Sequence, residues 1–312
     1  MPAARRPTGP GRGRRSAVRH ALLLALAIAC AVAVLPAGSA AVDSDPDGGD
    51  GDAGEESAPP ARRPRPRVIR DIPYLRSGGP TLDVHRPPAA GRRAPAVLLV
   101  HGGAWSGGDK AALQNAARTI AAAGFVAVNV NYTLATPGRP GFPVQVDQLR
   151  AAVHWVRRRA RPLGVDPTRV GALGSSAGAH LVSLLATIGR GPLTRGARLR
   201  AVAAWSPPVD LATLRRHHLQ GKIAGFLGCR VCLRRTAAAS PIAHVTADDP
   251  PMMIVNSRWE MIPASQARRM SARLRAAGVR RQLWMLPGIV HAPRYSPMVL
   301  GPTIRFLRRH LG

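Results

Sequence analysis

At 312 residues with 46% hydrophobic content, the chain is long enough to bury a full core and has a length that α/β folds fill as one domain. Three cysteines are too few for a disulfide-built scaffold. The formal charge of +29 favours anionic surfaces, yet 43 of the 45 basic residues are scattered arginines, and no recognition helix, RNA-binding aromatic motif or zinc-finger spacing accompanies them, so specific nucleic-acid binding is not expected.

The first 41 residues read as an export leader. Six arginines precede an apolar stretch from Ala21 to Leu35, and the small residues Ala37-Gly38-Ser39-Ala40-Ala41 follow, with cleavage expected near Ala40 or Ala41. The stretch is too short for a comfortable membrane span. Cys30 lies inside it without the leucine usual at a lipid-attachment site, and Arg14-Arg15 is compatible with twin-arginine export. Residues 42–66 carry seven acids and then an Arg/Pro run; with no apolar surface to offset ordering entropy they are expected to form a disordered linker. Residues 67–312 are then the folded domain of a secreted or envelope-associated protein, whose charge also suits non-specific contact with anionic envelope material.

Within that domain, strand-like runs at Thr81–His85, Ala96–Val100, Phe125–Asn131, Val170–Leu173, Ala201–Trp205, Met252–Val255 and Gln282–Leu286 alternate with helical stretches at Lys110–Ala123, Val144–Ala160, Ala177–Thr187, Ala264–Ala277 and Pro297–His310. Alternation of this kind predicts a mostly parallel, doubly wound α/β sheet of about eight strands, with helices on both faces and the first strands as an antiparallel edge. Leu211–Thr236 is less regular and is expected to cover part of the site.

Two turns carry chemistry. The run of Ala96–Val100 ends in His101-Gly102-Gly103-Ala104-Trp105, whose small residues let backbone amides point into a shared space. The second strand-to-helix corner, Gly174-Ser175-Ser176-Ala177-Gly178, fits the G-x-S-x-G elbow, in which a strained turn presents its central serine. Ser176 is the candidate nucleophile, and Ser175 should point away. The amides of Gly103, Ala104 and Ala177, with Gly102 as a further candidate, are expected to hold an oxyanion, each such donor being worth about a hundredfold to a thousandfold in rate.

The stretches HGGAWSGGDK, NVNYTLA, FPVQVDQLRAAVHWV, DPTRVGALGSSAGAHL and SPIAHVTADDPPMMIV resemble the α/β-hydrolase superfamily, specifically a secreted bacterial esterase and lipase branch similar to the hormone-sensitive-lipase-like and feruloyl-esterase-like groups. The likeness runs from about Val68 to the C-terminus. It implies ester hydrolysis through a Ser-Asp/Glu-His triad in that chain order, on a small ester substrate, with no cofactor or metal.

A serine hydroxyl needs a base with a pKa near 7, and an imidazole within hydrogen-bond reach supplies about a hundredfold to ten-thousandfold. His291 follows the last strand and a short loop, at the carboxyl edge of the sheet where ligands bind in open α/β folds. His101 more naturally braces its own turn, His180 reads as packing, and the other histidines have no motif. The resembling enzymes place their acid after the penultimate strand, where this chain reads NSRWEMIP; Glu260 is the only carboxylate there and can hold the histidine as aspartate does. Asp210, after Ala201–Trp205, is its rival, and a solvated Glu260 paired with Arg258 is the bland alternative.

Cys229 and Cys232 are expected to form a local disulfide in an exported protein. A zinc site would need two more ligands, with His217 and His218 near only in sequence. Two other activities fit the same residues: acyl transfer to an alcohol through the same acyl-enzyme, and a non-catalytic envelope-binding protein on a hydrolase scaffold.

Overall fold

A computed structural model describes residues 66–88, 93–214 and 217–312. The predicted leader and all but the last residue of the predicted linker lie outside the described residues. In chain order the elements are β1 (Arg67–Pro73), β2 (Thr81–Arg86), β3 (Ala94–Val100), α1 (Gln114–Ala122), β4 (Val126–Val130), α2 (Val144–Arg158), α3 (Ala160–Leu163), β5 (Val165–Ser175), α4 (Ala177–Ile188), β6 (Val202–Trp205), α5 (Gln220–Leu227), α6 (Leu233–Ala238), β7 (Met252–Ser257), α7 (Ala264–Ala276), β8 (Arg281–Leu286) and α8 (Ser296–Leu311). The eight strands form one sheet in the order β1-β2-β4-β3-β5-β6-β7-β8. The β1/β2 and β2/β4 pairs are antiparallel and all others parallel.

Period-two alternation in the central strands feeds two separate cores. Ala96, Leu98 and Val100 of β3 and Met252 and Ile254 of β7 pack with α2, α4 and α7. Val97 and Leu99, with Met253 and Val255, pack with α1 and α8 on the opposite face. Being covered on both sides, these strands read as continuous apolar runs in the sequence.

Strand β1 is absent from the sequence-based set. Its RVIRDIP is half charged and mostly exposed, and its register on β2 shifts between Ile69 and Ile72, where Asp71 adopts a φ of 55°. The irregularity has a partner: buried Lys110 donates to Asp71 at 2.5 Å and also to Asp83 on β2, tying the segment after β3 to the antiparallel edge. The predicted helix at Lys110 opens instead as a 3₁₀ turn over Lys110–Leu113, because Asp109 caps it by accepting the N–H of Ala111 at 2.7 Å. The irregular stretch resolves into a 3₁₀ turn at Leu211–Leu214, then α5 and α6. Among the described residues no helix is long and apolar enough to cross a membrane.

Candidate active site

β5 turns into α4 at Ser176, whose φ of 53° and ψ of −117° are rare for a residue with a side chain. Two glycines make that corner possible. A Cβ on Gly174 would lie 2.4 Å from the carbonyl oxygen of Gly178, and one on Gly178 would lie 2.1 Å from the carbonyl oxygen of Val100. The Ser176 amide is used up in donating to the Trp205 carbonyl at 2.7 Å. Ser175 is fully buried, turned away from the cavity that Ser176 lines.

Opposite this corner, the turn after β3 runs through positive φ at Gly103 (118°), Ala104 (49°) and Trp105 (63°), and the N–H groups of Ser106 and Gly107 close it onto the Gly103 carbonyl. The N–H groups of Gly103, Ala104 and Ala177 donate to no other group among the described residues. Gly102 is packed so closely on the elbow that a Cβ would meet the Ser175 carbonyl oxygen at 3.0 Å. His101 braces the turn: its Nδ1 donates to the Gly102 carbonyl at 2.7 Å and its ring stacks on Tyr132 at 4.4 Å. Burial pushes the His101 pKa down, so the ring stays neutral.

Ser176 Oγ lies 2.9 Å from His291 Nε2, and His291 Nδ1 hydrogen-bonds to Glu260 Oε2. The other Glu260 oxygen accepts the Ser257 amide and the Ser206 hydroxyl, each at 2.8 Å. The structure therefore brings Ser176, Glu260 and His291 together, and Glu260 makes none of its contacts to Arg258. Asp210 points elsewhere, with its carboxylate 2.6 Å from Arg269 Nη2. His180 sits fully enclosed on α4. Its Nδ1 accepts the Trp105 indole N–H at 3.1 Å and its Nε2 donates to the Ala239 carbonyl at 2.8 Å, so neither nitrogen is free for proton transfer. Cys229 and Cys232 form a disulfide, with Cα atoms 6.1 Å apart, between α5 and α6. The rings of His217 and His218 pack on each other, and among the described residues no group of three His, Cys, Asp or Glu side chains could hold a metal ion.

Two residues in this arrangement carry no sequence signal. Ser206, at a φ of 54°, follows β6 and is completely buried. Because a carboxylate only accepts, the single Ser206 proton goes to Glu260, and the Ser206 oxygen accepts the Ala292 amide at 3.3 Å. The Tyr295 hydroxyl lies 2.8 Å from Ser206 Oγ and 3.2 Å from the Val255 carbonyl, and burial raises its pKa well above the ordinary tyrosine value.

Residues 82–274 match the BD-FAE family, well over half of the chain. The chain belongs to the BD-FAE family of α/β-hydrolases. Among the relatives of this BD-FAE member, Esterase LipQ of Mycobacterium tuberculosis (strain ATCC 25618 / H37Rv) is 31% identical over 71% of the chain and 56% of LipQ. Esterase LipC of the same strain is 30% identical over 64% of the chain and 53% of LipC. The chain thus spans about half the length of these curated relatives. A solved structure, the truncated form of a carbohydrate esterase from gut microbiota, superposes with a TM-score of 0.69 at 21% identity, covering 81% of this chain and 99% of that one, and shares the fold.

In the BD-FAE chain, Ser176 and His291 open onto a cavity of about 390 Å³. Its floor is the glycine turn Gly102–Trp105 with Ala177, and its walls include Pro208, Leu219, Met261 and Ile262. Pro208 and Leu219 flank and enter the stretch that the sequence marked as irregular. Among the described residues no carboxylate lines the cavity, and Glu260 is enclosed behind His291.

Proposed function

We propose that the chain is an exported serine hydrolase that cleaves small carboxylic esters through an acyl-enzyme. His291 Nε2 takes the proton of Ser176 Oγ as the oxygen attacks the ester carbonyl. Glu260 holds the imidazole by its Nδ1 proton and offsets the positive charge that develops on it. Negative charge on the former carbonyl oxygen is met by the N–H groups of Gly103, Ala104 and Ala177. His291 then returns the proton to the leaving alcohol and activates the water that frees the acid. The apolar walls and modest volume favour a short, uncharged acyl or alcohol portion. Export is supported by the basic, apolar and small-residue segments of the first 41 residues.

The observation that carries this reading is the 2.9 Å contact between Ser176 Oγ and His291 Nε2 in a cavity floored by unengaged amides. The names of the relatives, esterases in each case, agree with it. The test is hydrolysis of p-nitrophenyl acetate and butyrate by the protein and by Ser176→Ala. The variant is expected to lose about five to six orders of magnitude in kcat, as when one member of such a unit is removed. Equal turnover by the two proteins overturns the reading.

A further inference from the structure

Among the described residues, exposed large apolar side chains occur at several places, Val231 and Leu233 beside the disulfide included, but four of them gather on two adjacent loops. Trp259 is 67% exposed and Ile289 72% exposed, and the exposed Met261 and Val290 stand beside them. All four belong to the two loops that carry Glu260 and His291. Those loops extend the β7/β8 pairing past the sheet: the Arg258 and Trp259 amides donate to the carbonyls of Leu286 and Gly288, and the Ser257 hydroxyl donates to the carbonyl of Val290. The four side chains are therefore held on one laced platform, continuous with the cavity through Met261. A triad needs Glu260 and His291 from these loops, but nothing in that task calls for an indole and two aliphatic side chains facing solvent.

Charge around the platform has one sign. In the two loops, residues 258–263 and 287–295, the arginines are Arg258 and Arg294 and the single carboxylate is Glu260, which is enclosed. Arg258 and Arg294, flanking the platform, are exposed and form no ion pair among the described residues. An indole with aliphatic neighbours flanked by two unpaired arginines is the chemistry of an interfacial surface, in which apolar groups enter the headgroup boundary while arginines meet anionic lipid.

We propose that the Trp259–Ile289 platform docks the protein onto an anionic lipid surface, with the cavity mouth against the lipid. This deepens the ester-hydrolase reading by naming esters dissolved in that surface as the substrates, and it rests on that reading for their cleavage. Lipid binding itself requires no turnover.

The experiment mixes the full chain with vesicles of phosphatidylglycerol and phosphatidylcholine, or of phosphatidylcholine alone, and reads co-sedimentation and tryptophan emission. Residues 1–65 contain no tryptophan, and Trp105, Trp155 and Trp205 are buried. Of the two exposed indoles Trp259 stands on the platform and Trp284 on β8, and Trp284 is present in every variant, so a shift lost in Trp259→Phe reports on the platform. The wild type is expected to sediment with the anionic vesicles and shift to the blue, both effects weakening with salt. Ile289→Asp should lower partition at least about tenfold and abolish the shift, while hydrolysis of dissolved p-nitrophenyl acetate stays within about twofold. Trp259→Phe should still sediment but lose the shift. The proposal is overturned if the wild type shows no shift, if Ile289→Asp binds as the wild type does, or if Trp259→Phe keeps the shift. It is also overturned if the platform instead joins two copies, seen as a dimer that Ile289→Asp dissociates without vesicle binding. Vesicle binding by a protein that cleaves no dissolved ester sinks the catalytic reading and leaves the docking surface standing.

Discussion

Ser206 sits behind the acid rather than in the cavity, and among the described residues its hydroxyl is the only side-chain donor to Glu260 besides His291. A hydrogen bond to a buried carboxylate contributes about 1.5–3 kcal/mol. In Ser206→Ala, Glu260 Oε1 keeps only the Ser257 amide, and the carboxylate is free to rotate off the imidazole. Because Ser206 acts through Glu260 and touches no substrate, kcat for p-nitrophenyl acetate is expected to fall about tenfold or more with KM unchanged, while circular dichroism shows the fold intact. A raised KM at constant kcat would show instead that Ser206 shapes the cavity. Such a residue is hidden in a sequence: its partners lie 54 and 89 positions away, and its positive φ has no signature in Trp-Ser-Pro. Ser176 is visible because its constraint is local, two glycines within two residues of a strained corner. His291 is marked by its place after the last strand, and Glu260 by being the sole carboxylate on its loop, so their meeting in space could be argued without coordinates. The Ser206–Tyr295 support could not.

Elements were legible wherever both faces of a strand are covered or one face of a helix is apolar, as in β3, β7 and α2. They were obscure where tertiary contacts decide. β1 is an exposed edge strand broken at Asp71, and the charged bulge is held by partners distant in sequence: Lys110, 39 residues later, and Asp83, which accepts the Asp71 amide. The junction of β3, β5 and α4 shows the opposite case, in which an element contact is written into one glycine. Gly178 lies on the first turn of α4 against the end of β3, and a Cβ there would come within 2.1 Å of the Val100 carbonyl and 2.4 Å of that of His101, both rigid backbone. Gly178→Ala must therefore push α4 away from β3 and drag the elbow with it. Overpacking a rigid contact of this kind costs about 3 kcal/mol or more, and the urea midpoint should drop accordingly while the m-value is kept. Esterase activity should fall further than stability does, because Ser176 and the Ala177 amide move with the helix. A variant as stable as the wild type would mean that the elbow tolerates a wider approach than the backbone geometry implies.

Across the whole molecule, enclosed titratable groups pull stability in opposite directions with pH. Burial pushes His180 down to about 4 from an ordinary 6.5, and burial also lowers His85 and His101. The unfolded chain takes up these protons first, so these histidines subtract stability as the pH falls from about 6.5 towards 4. His180 joins Trp105 of the glycine turn to Ala239 after α6, so this acid-sensitive contact sits beside the cavity. Asp249, just before β7, is the counterweight. Burial pushes it up to about 6 from 3.8, against the pull of the Thr246 amide and Arg198. Here the folded state takes up the proton first, so Asp249 adds stability as the pH falls from about 6 towards 3.8. The difference between its folded and unfolded values corresponds to roughly 3 kcal/mol at most. Asp249→Asn removes that term and leaves the histidines. The stability of the wild type minus that of the variant, from urea unfolding at pH 7 and at pH 4.5, should therefore rise on acidification by an appreciable part of those 3 kcal/mol. Taking the difference cancels every other titrating group, so parallel pH profiles for the two proteins would mean that Asp249 is better solvated than its position before β7 implies.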